Sequence, residues 1–275
     1  MAFSILNNIP ALQAESALNT TQMHLNSTLQ QLSTGQKINS GSDDPAGLSI
    51  ANGLSANIAA LNQSAQNAND GVGALQVADG ALSQITNLLN TAISLATEAS
   101  TGTVSSSQRT SLDAEYQQIL QEINRIGTTT TYNGTSVFTA NTTSIYLTDG
   151  SSAGSSTITA SVGVMSTTQL QLNGTVLTGT DGTNAQSALT KIDAAISTIA
   201  NDRGTIGASV NRLQDAASVI NNQVQNLTAA ENQIMATDIP TAVTNLSQQS
   251  ILEQTGIAAL AQANSQEQTV LKLLQ

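Results

Sequence analysis

Apolar residues recur at alternating steps of three and four over almost fifty positions: Ala51, Leu54, Ile58, Leu61, Ala65, Ala68, Val72 and Leu75, then Ala78, Leu82, Ile85, Leu89, Ile93 and Ala96. A stripe this narrow and this long is the seam of a coiled coil. It recurs at Leu112, Tyr116, Ile119, Ile123 and Ile126. Beyond the middle of the chain it returns at Leu189, Ile192, Ile196 and Ile199, and again at Ile206, Val210, Leu213, Ala217, Ile220, Val224, Leu227 and Ile234. Arg203 falls inside that last stripe, where a single cation reads as a paired register marker. A helix over 48–100 would be roughly 80 Å long at ~1.5 Å per residue. A compact globule of this chain length measures only about 50 Å across. The expected fold is therefore mainly α: an elongated, antiparallel coiled-coil helical rod.

Composition supports thin helices over a wide core. Aromatic residues are 2% of the 275, there is no Trp, and many of the hydrophobic residues are Ala, which lets helix backbones approach closely. Only 9% of residues are charged, against roughly 25% in an average domain. The net charge is −11 and the seven Lys and Arg residues are scattered. Nucleic acid and anionic membrane surfaces both need clustered cations, so neither is an expected partner. No apolar run approaches the ~18 residues of a membrane span, and membrane insertion is not expected. Cysteine is absent, which rules out disulfides and thiolate metal sites. The first residues lack the cationic and apolar regions of a cleavable leader, so a secreted role would need another export route.

The two ends carry similar signals. Asn8 and Pro10 can open a helix, whose rougher stripe of Ile9, Leu12, Leu18, Leu25, Leu29 and Leu32 ends at Gly35. Pro240 opens another, with Val243, Leu246, Ile257, Leu260, Leu271 and Leu274. Neither has a local partner, so the N- and C-terminal helices are expected to pack on each other. Between 130 and 184 the pattern changes to β-branched alternation broken by Asn-Gly and Asp-Gly, which signals a small β-hairpin region.

Chemistry is hard to find. The segment "LSTGQKINSGSDDPAGLSIANGL" (32–54) gathers glycines, Lys37, Asp43, Asp44 and Pro45. It lacks the Gly-Lys-Ser/Thr of a phosphate loop, and adjacent carboxylates do not share a helix face. Asp43 or Asp44 before Pro45 reads as a helix N-cap. Gly71-Val-Gly73 lacks the third glycine of a dinucleotide site and reads as close helix packing. His24 is the sole histidine, which leaves zinc and triad chemistry without ligands and points to a surface or groove position. No catalytic residue, cofactor or metal site is expected. The triplets Asn133-Gly-Thr135 and Asn173-Gly-Thr175 are expected by chance in so Asn- and Thr-rich a chain.

Taken together, the 32–54 segment, "NDGVGALQVADGALSQITNLLNTAISLA", "RTSLDAEYQQILQEINRIGTTTTYNGTSVF", "IANDRGTIGASVNRLQDAASVINNQVQNLTAAENQIMATDIPTAV" and "QQSILEQTGIAALAQANSQEQTVLKLLQ" resemble bacterial flagellin in order and content. The resemblance covers nearly the whole chain outside roughly 140–180, where the family's large variable outer domains are missing.

It implies a structural, self-assembling subunit of the flagellar filament, extracellular and serving motility. It implies residues 1–44 with 237–275 as an inner coiled-coil domain, packed through Leu25, Leu29, Leu32, Leu260, Leu271 and Leu274. Residues 45–236 would be the rod domain. Lys37, Asn39, Asp43, Asp44 and Pro45 would form a joint that is also a subunit contact. The implied partners are further copies of the chain, the flagellar export apparatus, a chaperone at the C-terminal helix, and the filament cap and hook-junction proteins. Ser151, Ser152, Ser155 and Ser156 are candidates for O-glycans, or form a bare polar turn. Leu95 and Glu115 match the surface read by the vertebrate Toll-like receptor 5, but Thr91 and Ile93 replace its arginines, which speaks against recognition. The alternative implied function is a hook–filament junction protein with similar termini. An enzyme on the same scaffold would need a catalytic insert.

Overall fold

A computed structural model describes residues 8–139, 143–148, 157–160 and 162–273. Five helices carry the fold: α1 (Ile9–Thr34), α2 (Pro45–Ser100), α3 (Ser106–Thr129), α4 (Thr183–Met235) and α5 (Ile239–Leu273). Four short strands lie between α3 and α4: β1 (Thr131–Tyr132), β2 (Thr135–Ser136), β3 (Thr143–Tyr146) and β4 (Thr157–Ala160). Contacts group the chain into two units, one of residues up to Ala56 together with those from Asn226 onward, the other Asn57–Gln225.

The core of the second unit is a helical seam. On α2 it runs through Leu61, Ala65, Ala68, Leu75, Ala78, Leu82, Ile85, Leu89, Ala92, Ala96 and Ala99. On α4 it runs through Ala185, Ala188, Ile192, Ala195, Ile199, Ile206, Leu213, Ala217 and Ile220. Several bulky residues expected in the seam stand one place away from it. Ile93, Leu189, Ile196 and Val210 are half-buried, while Ala92, Ala188, Ala195 and Ser209 are buried. Small side chains take the tightest positions because they let the helix backbones come close, and the larger neighbours roof the seam. Arg203 pairs with Asp79 across α4 and α2, Nε to Oδ1 at 2.7 Å and Nη2 to Oδ2 at 3.2 Å.

The helix ends follow local rules. Asn8 caps α1, its side chain accepting from Ala11 N at 3.0 Å, with Pro10 in the first turn. Ser105 and Gln108 form a capping box at the start of α3, satisfying amides that would otherwise lack partners.

β1 and β2 form a two-residue hairpin through Asn133 (φ 49°) and Gly134 (φ 77°). Both positive φ values suit the twist of the strands, which is why Asn-Gly is favoured there. β3 pairs antiparallel with β4, Ile145 opposite Ile158. The helix α2 receives these hairpins at its glycines. A Cβ on Gly71 would collide with Ile145, and one on Gly73 would meet the Tyr132 hydroxyl at 3.1 Å. The Gly71-Val-Gly73 pair thus marks close approach of strands to a helix.

The expected β-hairpin region does not extend through Asn173-Gly174. Residues 162–182 contain no strand. This segment instead runs along one face of α3, tied by side chains of the helix. Asp113 accepts from Leu177 N at 2.7 Å, Gln117 donates to Thr175 O at 2.9 Å, and Tyr116 shares a hydroxyl bond with Thr175 at 2.6 Å. Asn124 accepts from Thr167 N at 2.9 Å. Leu170, Leu172 and Leu177 are buried beneath. The backbone polar groups find partners on α3, so they need no second strand.

Candidate functional site

The distinctive geometry of the first unit lies in α1, α5 and the segments that flank them. The two helices run antiparallel. Asn8 Nδ2 donates to Ala263 O at 3.3 Å, Thr28 Oγ1 to Gln249 Oε1 at 3.1 Å, and Gln36 bridges Ala236. Among the less exposed residues of α1, Ala11, Ala14, Leu18, Thr21, Leu25, Thr28 and Leu32 follow one another in three-four alternation, with Gln31 beside Leu32. On α5 Ala242, Leu246, Gln249, Glu253, Gly256, Leu260 and Ala263 are less exposed, with Ser250 beside Gln249. Leu18 packs where a Cβ on Gly256 would stand, at 3.3 Å.

This seam is made of small and polar residues as much as of leucine. Its most buried member on α1 is Thr28, which also donates to His24 O at 2.9 Å. Many of the large apolar side chains lie off it. Leu29 is 45% exposed and Leu12 61%, and Ile9, Met23, Val243, Ile251, Leu252 and Ile257 are exposed too. The placement of Leu29, Ile9, Leu12, Val243 and Ile257 in a seam between the terminal helices is therefore corrected. The steps between them do not keep the three-four register that Thr21 and Thr28 complete. Leu25, Leu32 and Leu260 are seam residues within the single chain. Leu271 lies in α5, and Leu274 lies outside the described residues. His24 is exposed.

The segment between α1 and α2 is a bonded turn. Gly35 closes α1 in the left-handed region (φ 71°), donating to Gln31 O at 2.9 Å. The chain then runs beside residues 235–237: Lys37 N donates to Met235 O at 2.6 Å, and Thr237 N to Gly35 O at 3.0 Å. Asn39 Nδ2 donates to Gln36 O at 2.8 Å. Asp43 Oδ2 accepts from the amides of Asn39 (3.0 Å) and Ser40 (2.8 Å). Those two amides hold its carboxyl below the usual aspartate value, since hydrogen bonds to the charged form favour it. Asp44 Oδ1 accepts from Gly47 N at 2.9 Å, immediately ahead of Pro45. Asp44 is thus the cap of α2 and Asp43 the brace of the turn. Ile38 anchors the turn, 3% exposed. Asp238, immediately ahead of α5, accepts from Thr241 Oγ1 at 2.7 Å.

Other candidates sit apart from this unit. Leu95 is half-buried on α2 and Glu115 exposed on α3. Ser151, Ser152, Ser155 and Ser156 lie outside the described residues. Among the described residues no group of His, Asp and Glu is placed to hold a metal ion, and no helix is long and apolar enough to cross a membrane. Sequence reasoning missed Thr28, Gln249 and Asp238. The signal for the first two was the heptad register, legible once polar residues are admitted to it; for Asp238 it was the acid two places before Pro240.

Long helices with a polar internal seam, apolar side chains left outside it and a braced turn between helices are the features of an elongated helical structural protein. Residues 5–143 match the bacterial flagellin N-terminal helical region, and residues 189–274 the bacterial flagellin C-terminal helical region. The chain belongs to the bacterial flagellin family. It is a structural subunit of the flagellar filament and not an enzyme.

A flagellin of Halalkalibacterium halodurans is 33% identical over 98% of this chain and 99% of its own length. A flagellar filament 30.7 kDa core protein of Treponema maltophilum is 30% identical over 98% and 99%. Among solved structures, Bacillus cereus flagellin is 32% identical, covering 60% of this chain and 94% of its own, with a TM-score of 0.49.

Proposed function

We propose that the chain holds filament subunits together through the outward apolar side chains of its terminal helices, and that α1 and α5 form the innermost layer. On this reading residues 1–44 with 237–275 are the inner coiled coil and residues 45–236 the outer rod. The observation that carries the reading is the exposure of Leu12, Leu29, Ile251 and Ile257 on helices whose mutual seam is already filled. Apolar area on this scale favours burial at ~25 cal/mol per Å², and copies of the same helices are the available cover. The turn around Lys37, Asn39, Asp43, Asp44 and Pro45 acts as the joint between layers and as a subunit contact.

The same helices suit the remaining partners. The C-terminal helix, with its exposed apolar residues, is the surface a flagellin chaperone covers before export by the flagellar apparatus. The filament cap and hook-junction proteins meet the subunit at the two ends of the polymer, and the polymer is extracellular. With Thr91 and Ile93 beside Leu95 on α2, recognition by Toll-like receptor 5 is weak.

Removing the last helix tests the proposal. A chain ending at Asp238 lacks the partner of α1 but keeps the seam of α2 and α4. Circular dichroism should show retained helix, and seeded sedimentation should show no polymer. Pelletable filaments like those of the full chain would refute the inner role of α5.

A further inference from the structure

Three Asn-Gly pairs occur in the chain, and the fold treats them differently. Asn52-Gly53 lies inside α2, Asn133-Gly134 forms the β1–β2 loop, and Asn173-Gly174 lies in the segment along α3. All six residues are exposed, so solvent reaches each pair. What separates them is the backbone. In α2 the Gly53 amide is part of a helical ladder. In the other two pairs glycine has φ of 77° and 72°, at the third position of a turn whose own amide lies outside the closing bond. Thr175 N closes the second turn onto Leu172 O at 3.2 Å, and Asn173 N donates to Thr167 O at 3.1 Å. Among the described residues, neither Gly134 N nor Gly174 N donates a hydrogen bond.

We propose that Asn133 and Asn173 are sites of spontaneous covalent modification, deamidating through attack by the following glycine, while Asn52 is protected. The nitrogen of Gly134 or Gly174 forms a bond to the asparagine Cγ. The Cγ–Nδ2 bond breaks and ammonia leaves with the amide proton. Water then opens the five-membered imide at either carbonyl, giving aspartate or isoaspartate. No oxidant or enzyme is required. Glycine permits the attack because no Cβ shields its nitrogen.

The consequence is local at Asn133. It lines a cleft of about 580 Å³ with Asp70, Gly71, Tyr132 and Ile145. Conversion places a second carboxylate in a cleft that already holds Asp70. The isoaspartate form also lengthens the main chain of a two-residue loop whose strands are only two residues each. The β1–β2 hairpin, and with it the contact of Tyr132 on Gly73, loosens with the age of the protein.

The test is peptide mapping by mass spectrometry of the full chain, aged in warm, mildly alkaline buffer, with isoaspartate detected by enzymatic methylation. A parallel sample is aged in urea. In the native chain Asn133 and Asn173 should each outpace Asn52 by ~10-fold or more, because a helical amide reacts only through local opening. In urea the three rates should converge. A turn that does not outpace Asn52 in the native chain removes the proposal for that turn. Rates that rank alike with and without urea overturn it altogether, since the fold would then play no part.

Discussion

Arg109 donates from Nε to the carbonyl oxygen of Ala99 at 2.7 Å, from a side chain that is 1% exposed. The rest of its guanidinium is spent the same way, on Thr101 O (2.9 Å), Thr180 O (3.1 Å) and Gly179 O (3.3 Å). No carboxylate takes part in these bonds. The cation sits at the C-terminus of α2, where unpaired carbonyls and the helix dipole favour positive charge. One residue thereby ties the end of α2, the start of α3 and the approach to α4.

Replacing Arg109 by Met keeps the bulk and removes every donor. The expected cost is about 3 kcal/mol, since buried carbonyls lose their partners. Arg109→Lys should recover only part of this, because an ammonium cannot span the same fork. Urea unfolding of the monomer measures both. A Met variant as stable as the parent would show that water replaces the guanidinium.

Gly127 and Gly204 should respond to alanine with opposite signs. A Cβ on Gly127 would run into the carbonyl of Met165, whereas one on Gly204 meets nothing within 4 Å. Gly127→Ala should destabilise by ~1–3 kcal/mol, the range for overpacking. Gly204→Ala should stabilise by up to ~1 kcal/mol through helix propensity. Thermal unfolding of the two monomeric variants decides it; shifts in the same direction would contradict the packing described for α3 and residues 162–182.

The Asp43 brace sets an acid limit on the turn between α1 and α2. The amides of Asn39 and Ser40 hold its folded carboxyl below the ordinary aspartate range. A depressed folded pKa means that the bond's contribution is present above the unfolded value and is lost as pH falls through the folded one. The amide signals of Asn39 and Ser40 should therefore shift together in NMR, with a midpoint below that of an unfolded aspartate. A midpoint at or above that value would show that the carboxylate does not hold those amides.

Much of this was legible beforehand. Periodicity located all five helices, and Asn8, Pro10, Pro45 and Gly35 marked helix ends because capping is a local matter. Asn133-Gly134 announced its hairpin for the same reason. Asn173-Gly174 announced one that is absent. Its turn is present, but the strands on either side were claimed by Asp113, Gln117 and Asn124 on α3, partners far away in sequence. Seam positions were misplaced by one where Ala92 and Ala188 lie inside and Ile93 and Leu189 outside. Hydrophobicity ranks those pairs in the wrong order, and only close backbone approach reverses it. Leu29 was misassigned because an apolar residue on a helix can face a partner within the chain or one outside it. Composition does not separate the two cases.

That distinction yields a paired test, one residue on the terminal helix α1 and one in the α2 seam. Leu29→Asp should leave the circular dichroism of the monomer unchanged, because nearly half of Leu29 is exposed and it lies off the α1–α5 seam. Leu82→Asp should unfold the second unit, with a cost of several kcal/mol on the order expected for a buried unpaired charge. Both should fail to polymerise, but only the second through loss of fold. Normal polymerisation of Leu29→Asp would free this side chain of any subunit contact.

The most direct measurement is a helical reconstruction by electron cryo-microscopy of filaments grown from the full chain. The expected map places α1 and α5 closest to the filament axis, with Leu12, Leu29 and Ile251 covered by neighbouring subunits. A map in which α1 and α5 lie outside the α2–α4 layer, or in which those three side chains face solvent, would contradict the inner-layer account.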